Sequence, residues 1–284
     1  MRADPESVEA ALAEVSAIGP YFAISTDPGL AGDGAWRPLG ELSADTAALR
    51  ARVEDFQRRL GTDESRVAAS ILFQGLAARL WSPIVAAAAA RGLVPAAAPA
   101  EIRWRPAATG PLPLSASRTS HWLALPDPAP ARPADTPSDA DRADVTGTAA
   151  VVHRAVATEL LEPLVDAVRG ITKVSASLLW GNAASSLAGT LRTLPAARPD
   201  LGPRAARLVR EVLGLGMLAG TGRLAEPAPG QYFFVRVSCC LYYRVPGGGM
   251  CDDCALIDPP VRDAQWARAA RRARTGREPG GSGA

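Results

Sequence analysis

The chain has 284 residues, of which 48% are hydrophobic, and its 31 Lys and Arg against 29 Asp and Glu give a formal net charge of +2. This length suffices for one large domain or two modest ones. A charge so close to neutral argues against nucleic acid or an anionic membrane as the main partner.

Neither residues 1–6 nor the apolar stretch at residues 83–100 has the pattern of a targeting or membrane segment. Residues 1–6 carry acidic side chains where a secretory signal would be basic and then apolar. The most apolar stretch, residues 83–100, is mostly Ala and is interrupted by Arg91 and two prolines, which makes a poor membrane span. We therefore expect a soluble, cytoplasmic protein with no integral membrane segment.

The first half of the chain predicts helices separated by glycines and prolines. Asp4 before Pro5 is a typical N-cap, and the helix that it begins is expected to reach residue 18, before Gly19. Three more helices are predicted from caps, glycine ends and a proline at the first position: residues 43–60, capped by Ser43 and ended by Gly61; residues 64–81, capped by Thr62 or Asp63; and residues 83–91, begun by Pro83.

Short strands are predicted between and after these helices. Residues 21–25, 101–105 and 120–125 are rich in aromatic and β-branched side chains. The segment between the last two contains many turn-forming residues, so the pair predicts a β-hairpin.

The second half begins with a change in composition. Residues 126–147 are Pro-, Asp- and Ala-rich, which predicts a linker or mobile loop. Helices are predicted over residues 148–170, 171–194 and 203–218, followed by a strand over residues 231–237 and a basic end at residues 262–274 that is compatible with a helix.

These elements predict an α+β fold that is mostly helical, with two subdomains and short β-hairpins. The expected division is an N-terminal helical and hairpin subdomain at residues 1–125, the linker or loop at 126–147, a C-terminal helical subdomain at 148–275 that contains the cysteine segment 238–256, and a disordered tail at 276–284.

All four cysteines of the chain lie near its C-terminal end, in the pattern C-C-x10-C-x2-C: Cys239, Cys240, Cys251 and Cys254. Four thiolates form a complete ligand set for a [2Fe–2S] cluster or for a structural zinc ion. In a reducing compartment, clustered cysteines bind metal more often than they form disulfides.

The spacing favours the cluster but leaves alternatives open. Adjacent residues of a strand point to opposite faces, so Cys239 and Cys240 reach one metal centre only if the chain bends there. A two-iron cluster tolerates divergent sulfurs better than a single zinc ion, and structural zinc usually has two C-x2-C pairs. Zinc and a redox-switch or disulfide role remain open. Rieske-type ligation needs two histidines, and His121 and His153 are far away in sequence.

The chain resembles the FhuF-type ferric siderophore reductases. The resemblance lies in the cysteine pattern, in Tyr242 and Tyr243 after the vicinal pair, and in the patch Leu-Trp-Gly-Asn-Ala-Ala at residues 179–184, which contains Trp180 and Asn182. An Arg-led segment over residues 66–80, with Ser70 and Gln74, is compatible with the N-terminal half of that family.

The resemblance implies an oxidoreductase that reduces Fe(III) held by a siderophore by one electron in the cytoplasm. It also implies a [2Fe–2S] cluster bound by the four cysteines, with no catalytic residue beyond the cluster. The sequence has no Rossmann G-x-G-x-x-G, so a ferredoxin or a reduced flavin system is the expected electron donor.

Five further residues are predicted to contact the substrate. Arg236 and Arg244 are next to the cysteines, where a cation attracts an anionic chelate. Arg66 is on the Arg-Ser-Gln face of a predicted helix, and Trp180 and Asn182 belong to the central patch. The simpler interpretations are a solvated face for Arg66, a core position for Trp180 and close helix packing for Asn182.

Two other functions remain open at this point. A zinc-stabilised binding or scaffold protein would have no redox activity. An iron–sulfur protein for electron transfer or iron sensing would carry the cluster without acting on siderophores.

Overall fold

The computed structural model describes residues 1–107, 110–116, 121–125 and 139–274. Its α-helices are α1 (Pro5–Ser16), α2 (Glu41–Ala44), α3 (Thr46–Leu60), α4 (Ser65–Arg91), α5 (Ala98–Glu101), α6 (Asp139–His153), α7 (Glu162–Ile171), α8 (Ala176–Ala197), α9 (Gly202–Leu213) and α10 (Pro259–Arg274). Its strands are β1 (Arg37–Pro38), β2 (Leu93–Pro95), β3 (Arg103–Trp104), β4 (Leu114–Ser115), β5 (Trp122–Ala124), β6 (Gly222–Ala228) and β7 (Gln231–Arg236). The fold is therefore α+β and mostly helical.

Two long helices, α4 and α8, form the centre of the molecule and pack against each other. Helices α1, α3 and α9 pack around α4, and β7 packs on α8. Phe73 and Trp81 of α4 and Leu179 of α8 are fully buried in the core. Burial of such apolar side chains stabilises the fold by roughly 1.5–3 kcal/mol per residue, which is the main force holding these helices together.

The strands are short and pair antiparallel. β3 lies between β1 and β4, and β2 pairs with β5. β6 and β7 form a hairpin with Arg236 opposite Gly222 and a bulge between Ala225 and Ala228. β7 of this hairpin packs on α8, and the cysteine segment follows it directly.

Several predicted boundaries are confirmed. Asp4 caps α1 through a hydrogen bond from the Ser7 N–H, and Gly61 ends α3 in the left-handed conformation that glycine adopts without strain. The strand predicted at residues 231–237 is β7, and the basic end forms α10.

The predicted break before Pro83 is wrong. α4 continues from Ser65 to Arg91 with Pro83 inside it. A proline in a helix interior costs about 3 kcal/mol, because it removes one hydrogen bond and clashes with the preceding turn. Here Pro83 and its neighbours Ser82 and Ile84 are buried, so packing against the core outweighs the local cost. The predicted cap Ser43 is also wrong: Asp45 caps α3.

The predicted β-hairpin between residues 101–105 and 120–125 is wrong as well. β3 pairs with β1 and β4, whereas β5 pairs with β2. β1 and β2 are distant in sequence from β3 and β5, respectively, so local turn patterns give no information about these two pairings. β3 and β4 are close in sequence, and β4 takes the place that the prediction gave to residues 120–125. Residues 21–25, predicted as a strand, make only an isolated bridge from Ser25 to Ser115.

The predicted linker at residues 126–147 is helical in its last part, because α6 begins at Asp139. α6 continues through a π-helical stretch, Arg154–Leu161, into α7. Residues 126–138 and the tail predicted at 276–284 lie outside the described residues. The core contains residues from both predicted subdomains, and the division into 1–125 and 148–275 stays a prediction.

α4 is long and apolar enough to cross a membrane by composition, and it is the one such helix among the described residues. Most of its apolar side chains are buried inside the protein. It is therefore the central core helix of this fold.

A buried arginine in α4 fixes the loop after α1. Arg79 is 2% exposed and donates hydrogen bonds to the backbone oxygens of Leu112 (2.7 Å), Tyr21 (2.8 Å) and Ala23. Burial lowers the pKa of Arg79 to about 10. Its hydrogen bonds to Tyr21 and Ala23 hold residues 21–23 against α4.

We expect Arg79→Met to lower the free energy of unfolding by about 2–4 kcal/mol, because three carbonyls lose a charged donor. Urea denaturation followed by circular dichroism measures this. The control Arg58→Met removes an exposed ion pair with Asp55 and should change stability by less than about 0.5 kcal/mol. Equal effects of the two substitutions would contradict the role assigned to Arg79.

Candidate metal centre

The chain bends at the vicinal cysteine pair. β7 ends at Arg236, so Cys239 and Cys240 lie in the loop beyond the strand. Leu241 follows in the left-handed conformation (φ 69°) and leads into a 3₁₀ turn, Tyr242–Arg244. The strand rule that separates adjacent side chains therefore does not apply to this pair.

The sulfurs approach each other in a manner suited to metal ligation. The Sγ atoms of Cys240 and Cys251 are 3.6 Å apart. Two sulfur ligands of one tetrahedral metal, with bonds of about 2.3 Å, lie about 3.8 Å apart. The Cys254 N–H donates to the Cys251 oxygen at 2.9 Å, which closes the turn between these two ligand candidates.

Backbone N–H groups point at the other two sulfurs. The Leu241 N–H donates to Cys239 Sγ at 3.3 Å, and the Leu256 N–H donates to Cys254 Sγ at 3.4 Å. Hydrogen bonds of this kind stabilise thiolates and raise the reduction potential of an iron–sulfur cluster.

The protein environment favours the thiolate of Cys240. Its hydrogen bond with Cys251, together with the Tyr242 N–H and the Arg236 charge, lowers the pKa of Cys240 to about 6. The same sulfur–sulfur contact raises the pKa of Cys251, and burial raises that of Cys239. Since the thiolate is the form that binds metal, one ligand candidate is already prepared for ligation.

Arg236 is a buried cation beside the cysteines. It lies on the inward face of β7 with Tyr232 and Phe234 and is 3% exposed. Its charge favours the thiolate forms of Cys239, Cys240 and Cys251, although at Cys239 burial and at Cys251 the contact with Cys240 outweigh it and raise the pKa. Among the described residues, no acceptor faces its buried Nε and Nη2 atoms. A cluster with four thiolate ligands has a net negative charge in both oxidation states, which fits this unpaired cation.

A chain of buried hydrogen bonds ties the cysteine loop to the two central helices. Asn182 of α8 accepts from Arg236 and donates to the Ser70 oxygen and hydroxyl of α4 at 2.8 and 2.9 Å. The Ser70 hydroxyl donates to the Cys240 carbonyl at 2.7 Å. We call Ser70, Asn182 and Arg236 the docking network.

The second cysteine turn is anchored to α8. Asp253 is 4% exposed and accepts a hydrogen bond from the Ser185 hydroxyl at 2.5 Å. Its backbone oxygen accepts from the Arg236 N–H at 3.2 Å. Arg192 of α8 is 3.3 Å from a carboxylate oxygen of Asp252 and 3.6 Å from one of Asp253.

The structure explains the Trp-Gly-Asn patch of α8 as a packing surface. A Cβ atom at Gly181 would overlap the Ser238 hydroxyl, so the cysteine segment approaches the helix closely there. Trp180 is 3% exposed and Asn182 is fully buried. Both side chains are therefore part of the core, and substrate contact by Trp180 and Asn182 stays a prediction.

The surface arginines are paired with one carboxylate. Arg244 Nε lies 2.6 Å from Glu64, and Arg66 Nη2 lies 2.9 Å from the same side chain. Glu64 thereby joins the 3₁₀ turn after the cysteine pair to the start of α4. Both arginines and the buried Arg236 lie outside the lining of the cleft described next, so substrate contact by these three residues stays a prediction.

A cleft of about 600 Å³ opens beside Cys240 and Cys251. It lies between α4 and α8, and its other walls come from the loop after α1 and from α3. The lining residues are Ile18, Gly19, Pro20, Tyr21, Phe22, Phe56, Ile71, Gln74, Gly75, Ala78, Ser82, Ser185, Ser186, Gly189, Thr190, Arg192, Thr193, Cys240, Tyr242 and Cys251.

Sequence reasoning missed most of this cleft. The Arg-Ser-Gln helix face predicted from the sequence includes Gln74, which lines the cleft. The wall at residues 18–22 comes from the far end of the chain and carries only a glycine and a proline as local signals. No sequence pattern indicates that Phe56 and Arg192 line the cleft, because only tertiary packing brings them there.

One family model matches the chain, and it matches where the cysteines are. Residues 236–256 match the FhuF 2Fe-2S C-terminal domain. The C-terminal end of this chain is FhuF-like. No curated protein matches the chain.

The FhuF 2Fe-2S domain implies a [2Fe–2S] cofactor, and the donor set fits it. Among the described residues, no three His, Cys, Asp or Glu side chains are grouped as ligands around one ion. Cys240 and Cys251 are in contact, and backbone N–H groups donate to Cys239 and Cys254; these four sulfurs would hold such a cluster.

We expect Asn182→Leu to destabilise the protein by about 2–4 kcal/mol, because it removes the acceptor of a buried guanidinium and the donor to Ser70. The cysteine loop should also hold less iron per chain. Chemical denaturation and iron analysis after anaerobic purification measure the two effects.

The matched control is Ser186→Ala, which removes one hydrogen bond between α8 and the Gln74 oxygen outside the docking network. It should cost about 1 kcal/mol and leave the iron content unchanged. If Asn182→Leu behaved in the same way as Ser186→Ala, the docking network would not hold the cysteine loop.

Proposed function

We propose that the protein is a cytoplasmic ferric siderophore reductase that transfers one electron to Fe(III) and so allows Fe(II) to leave the chelate. The match of residues 236–256 to the FhuF 2Fe-2S C-terminal domain is the observation that carries the proposal. The cleft that adjoins Cys240 and Cys251 supports it, because it brings open space to two of the four cysteines.

In this proposal Cys239, Cys240, Cys251 and Cys254 hold the cluster. A bound [2Fe–2S] cluster supplies one electron at a time. The chain positions the four sulfurs through the docking network and through the Asp253–Ser185 contact. Arg236 and the N–H groups of Leu241 and Leu256 stabilise negative charge there, which makes an added electron less costly.

The chemistry of the substrate explains why one electron suffices. Siderophores bind ferric iron through hard oxygen donors, which suit Fe(II) much less well. The cluster loses one electron, the chelated Fe(III) gains it, and no bond between protein and chelate forms or breaks. The reaction therefore needs no nucleophile and no acid–base pair.

The electron arrives from a separate donor, a ferredoxin or a reduced flavin system. The chain segment that contains the cysteines has many exposed apolar side chains: Val237, Tyr242, Tyr243, Met250, Leu256 and Val261 are each at least 40% exposed. An apolar patch next to a redox centre is typical of a surface that a protein partner covers.

The test is the reoxidation of the reduced protein by ferric siderophores. The protein is reduced anaerobically, freed of excess dithionite, and mixed with ferric siderophores that have hydroxamate, catecholate or carboxylate donors. With at least one of them, we expect the visible absorption of the oxidised cluster to return. One Fe(II) per cluster should be captured by an Fe(II)-specific chelator.

Gallium(III) complexes of the same siderophores serve as controls, because Ga(III) has the charge of ferric iron but is not reduced under these conditions. They should leave the protein reduced. A fully loaded protein that no ferric siderophore reoxidises would contradict the proposed function, and an electron-transfer or sensing role would then replace it.

A further inference from the structure

The cleft beside the cysteines is larger than the cofactor requires. Its volume of about 600 Å³ is in the usual range for small-molecule sites, about 300–1,000 Å³. The four-atom core of a [2Fe–2S] cluster is far smaller than this. Cys240, Tyr242 and Cys251 line one end, whereas the other walls come from the loop after α1 and from α3, α4 and α8.

Two glycines leave the helix walls of the cleft bare. A Cβ atom at Gly75 of α4 would meet no atom within 4 Å, and one at Gly189 of α8 would meet only the Arg192 side chain at 3.8 Å. Neither glycine has a positive φ, so the backbone does not require it. Glycine destabilises a helix interior relative to alanine, and here it keeps space open.

The walls offer a guest almost no charge. Arg192 is the one Lys, Arg, Asp or Glu among the described lining residues, and its guanidinium already faces Asp252 and Asp253. The other lining side chains are mostly apolar or carry single hydroxyl groups. A trianionic guest would have no unpaired cation here and would be repelled by the reduced cluster.

The loop at the far wall is held in place by a buried group. Arg79 donates to the oxygens of Tyr21 and Ala23, and Tyr21 and Tyr242 are exposed aromatic residues of the lining. The cleft is therefore a rigid, mostly apolar space with two aromatic rings on its exposed side, next to the electron source.

Building on the proposed function, we propose that this cleft binds the ferric chelate and selects complexes of low net charge. The guest is a compact, oxygen-ligated Fe(III) complex with an apolar outer surface, seated between Gly75 and Gly189. From there the electron passes from the cluster at the Cys240 and Cys251 end to Fe(III), which becomes Fe(II).

Binding is measured separately from electron transfer, with redox-inert gallium(III) complexes. The probes are gallium(III) tris(maltolate), which is uncharged, and gallium(III) tris(catecholate), which is a trianion. Titration calorimetry on the cluster-loaded protein gives both dissociation constants. We expect the uncharged complex to bind at least about tenfold more tightly.

Filling the cleft should weaken this binding. Gly75→Leu and Gly189→Leu each place a side chain in the open space, and each raises helix propensity, so folding and the visible spectrum should be retained. Both should weaken binding of the uncharged complex by about tenfold or more. The control Gly147→Leu makes the same change in α6, where a Cβ atom also meets nothing within 4 Å.

Thr193→Trp gives a second route to the same test, because Thr193 is an exposed lining residue whose replacement does not disturb the core. Unchanged binding in all three cleft variants, equal weakening by Gly147→Leu, or tighter binding of the trianion would overturn the inference. So would a wild-type protein that binds neither complex.

The inference and the proposed function fail in different ways. If the wild-type protein is reoxidised by a ferric siderophore and the cleft variants are reoxidised equally fast, the chelate binds elsewhere and the reductase function stands. If no ferric siderophore reoxidises the wild-type protein, the proposed function fails whatever the cleft binds.

Discussion

The site depends on one buried set of hydrogen bonds, in which Asn182 joins Ser70 on one central helix to Arg236 at the end of β7. Burying a guanidinium costs several kcal/mol unless it is paired and hydrogen-bonded. Asn182 satisfies one edge of it, and the unpaired edge is the one that an anionic cluster would satisfy. The Ser70 hydroxyl in turn donates a hydrogen bond to the Cys240 carbonyl. The contact between α4 and α8 therefore determines the position of Cys240.

The same close approach of α4 and α8 has a second consequence. Small residues at the contact let the helices pack tightly near Ser70 and Asn182, and further along, Gly75 and Gly189 leave the space between them open. The cleft therefore begins where the docking network ends. Arg79 completes it by holding the loop of residues 21–23 through backbone carbonyls alone, without any carboxylate.

The sequence predicted what local rules control. A cap at Asp4, a glycine end at Gly61 and the alternation of β7 are short-range signals, and the cysteine spacing identified the metal segment before any fold was known. It failed where tertiary packing decides, as for Pro83 inside α4 and for the pairing of β3 with β1. The sequence did not predict the burial of Arg236. Its position shares a strand face with Tyr232 and Phe234, but a charged residue is rarely buried unless it has a partner, and its partner Asn182 is brought there only by tertiary packing.

Metal analysis of the anaerobically purified protein, with EPR after reduction, tests the central claim most directly. The account predicts a red-brown protein with about two irons and two acid-labile sulfides per chain, and an S = 1/2 signal on reduction. Single replacement of Cys239, Cys240, Cys251 or Cys254 by Ser should deplete or strongly perturb this centre, whereas Ser238→Ala should not. A colourless protein with stoichiometric zinc, or a normal cluster spectrum in all four cysteine variants, would contradict it.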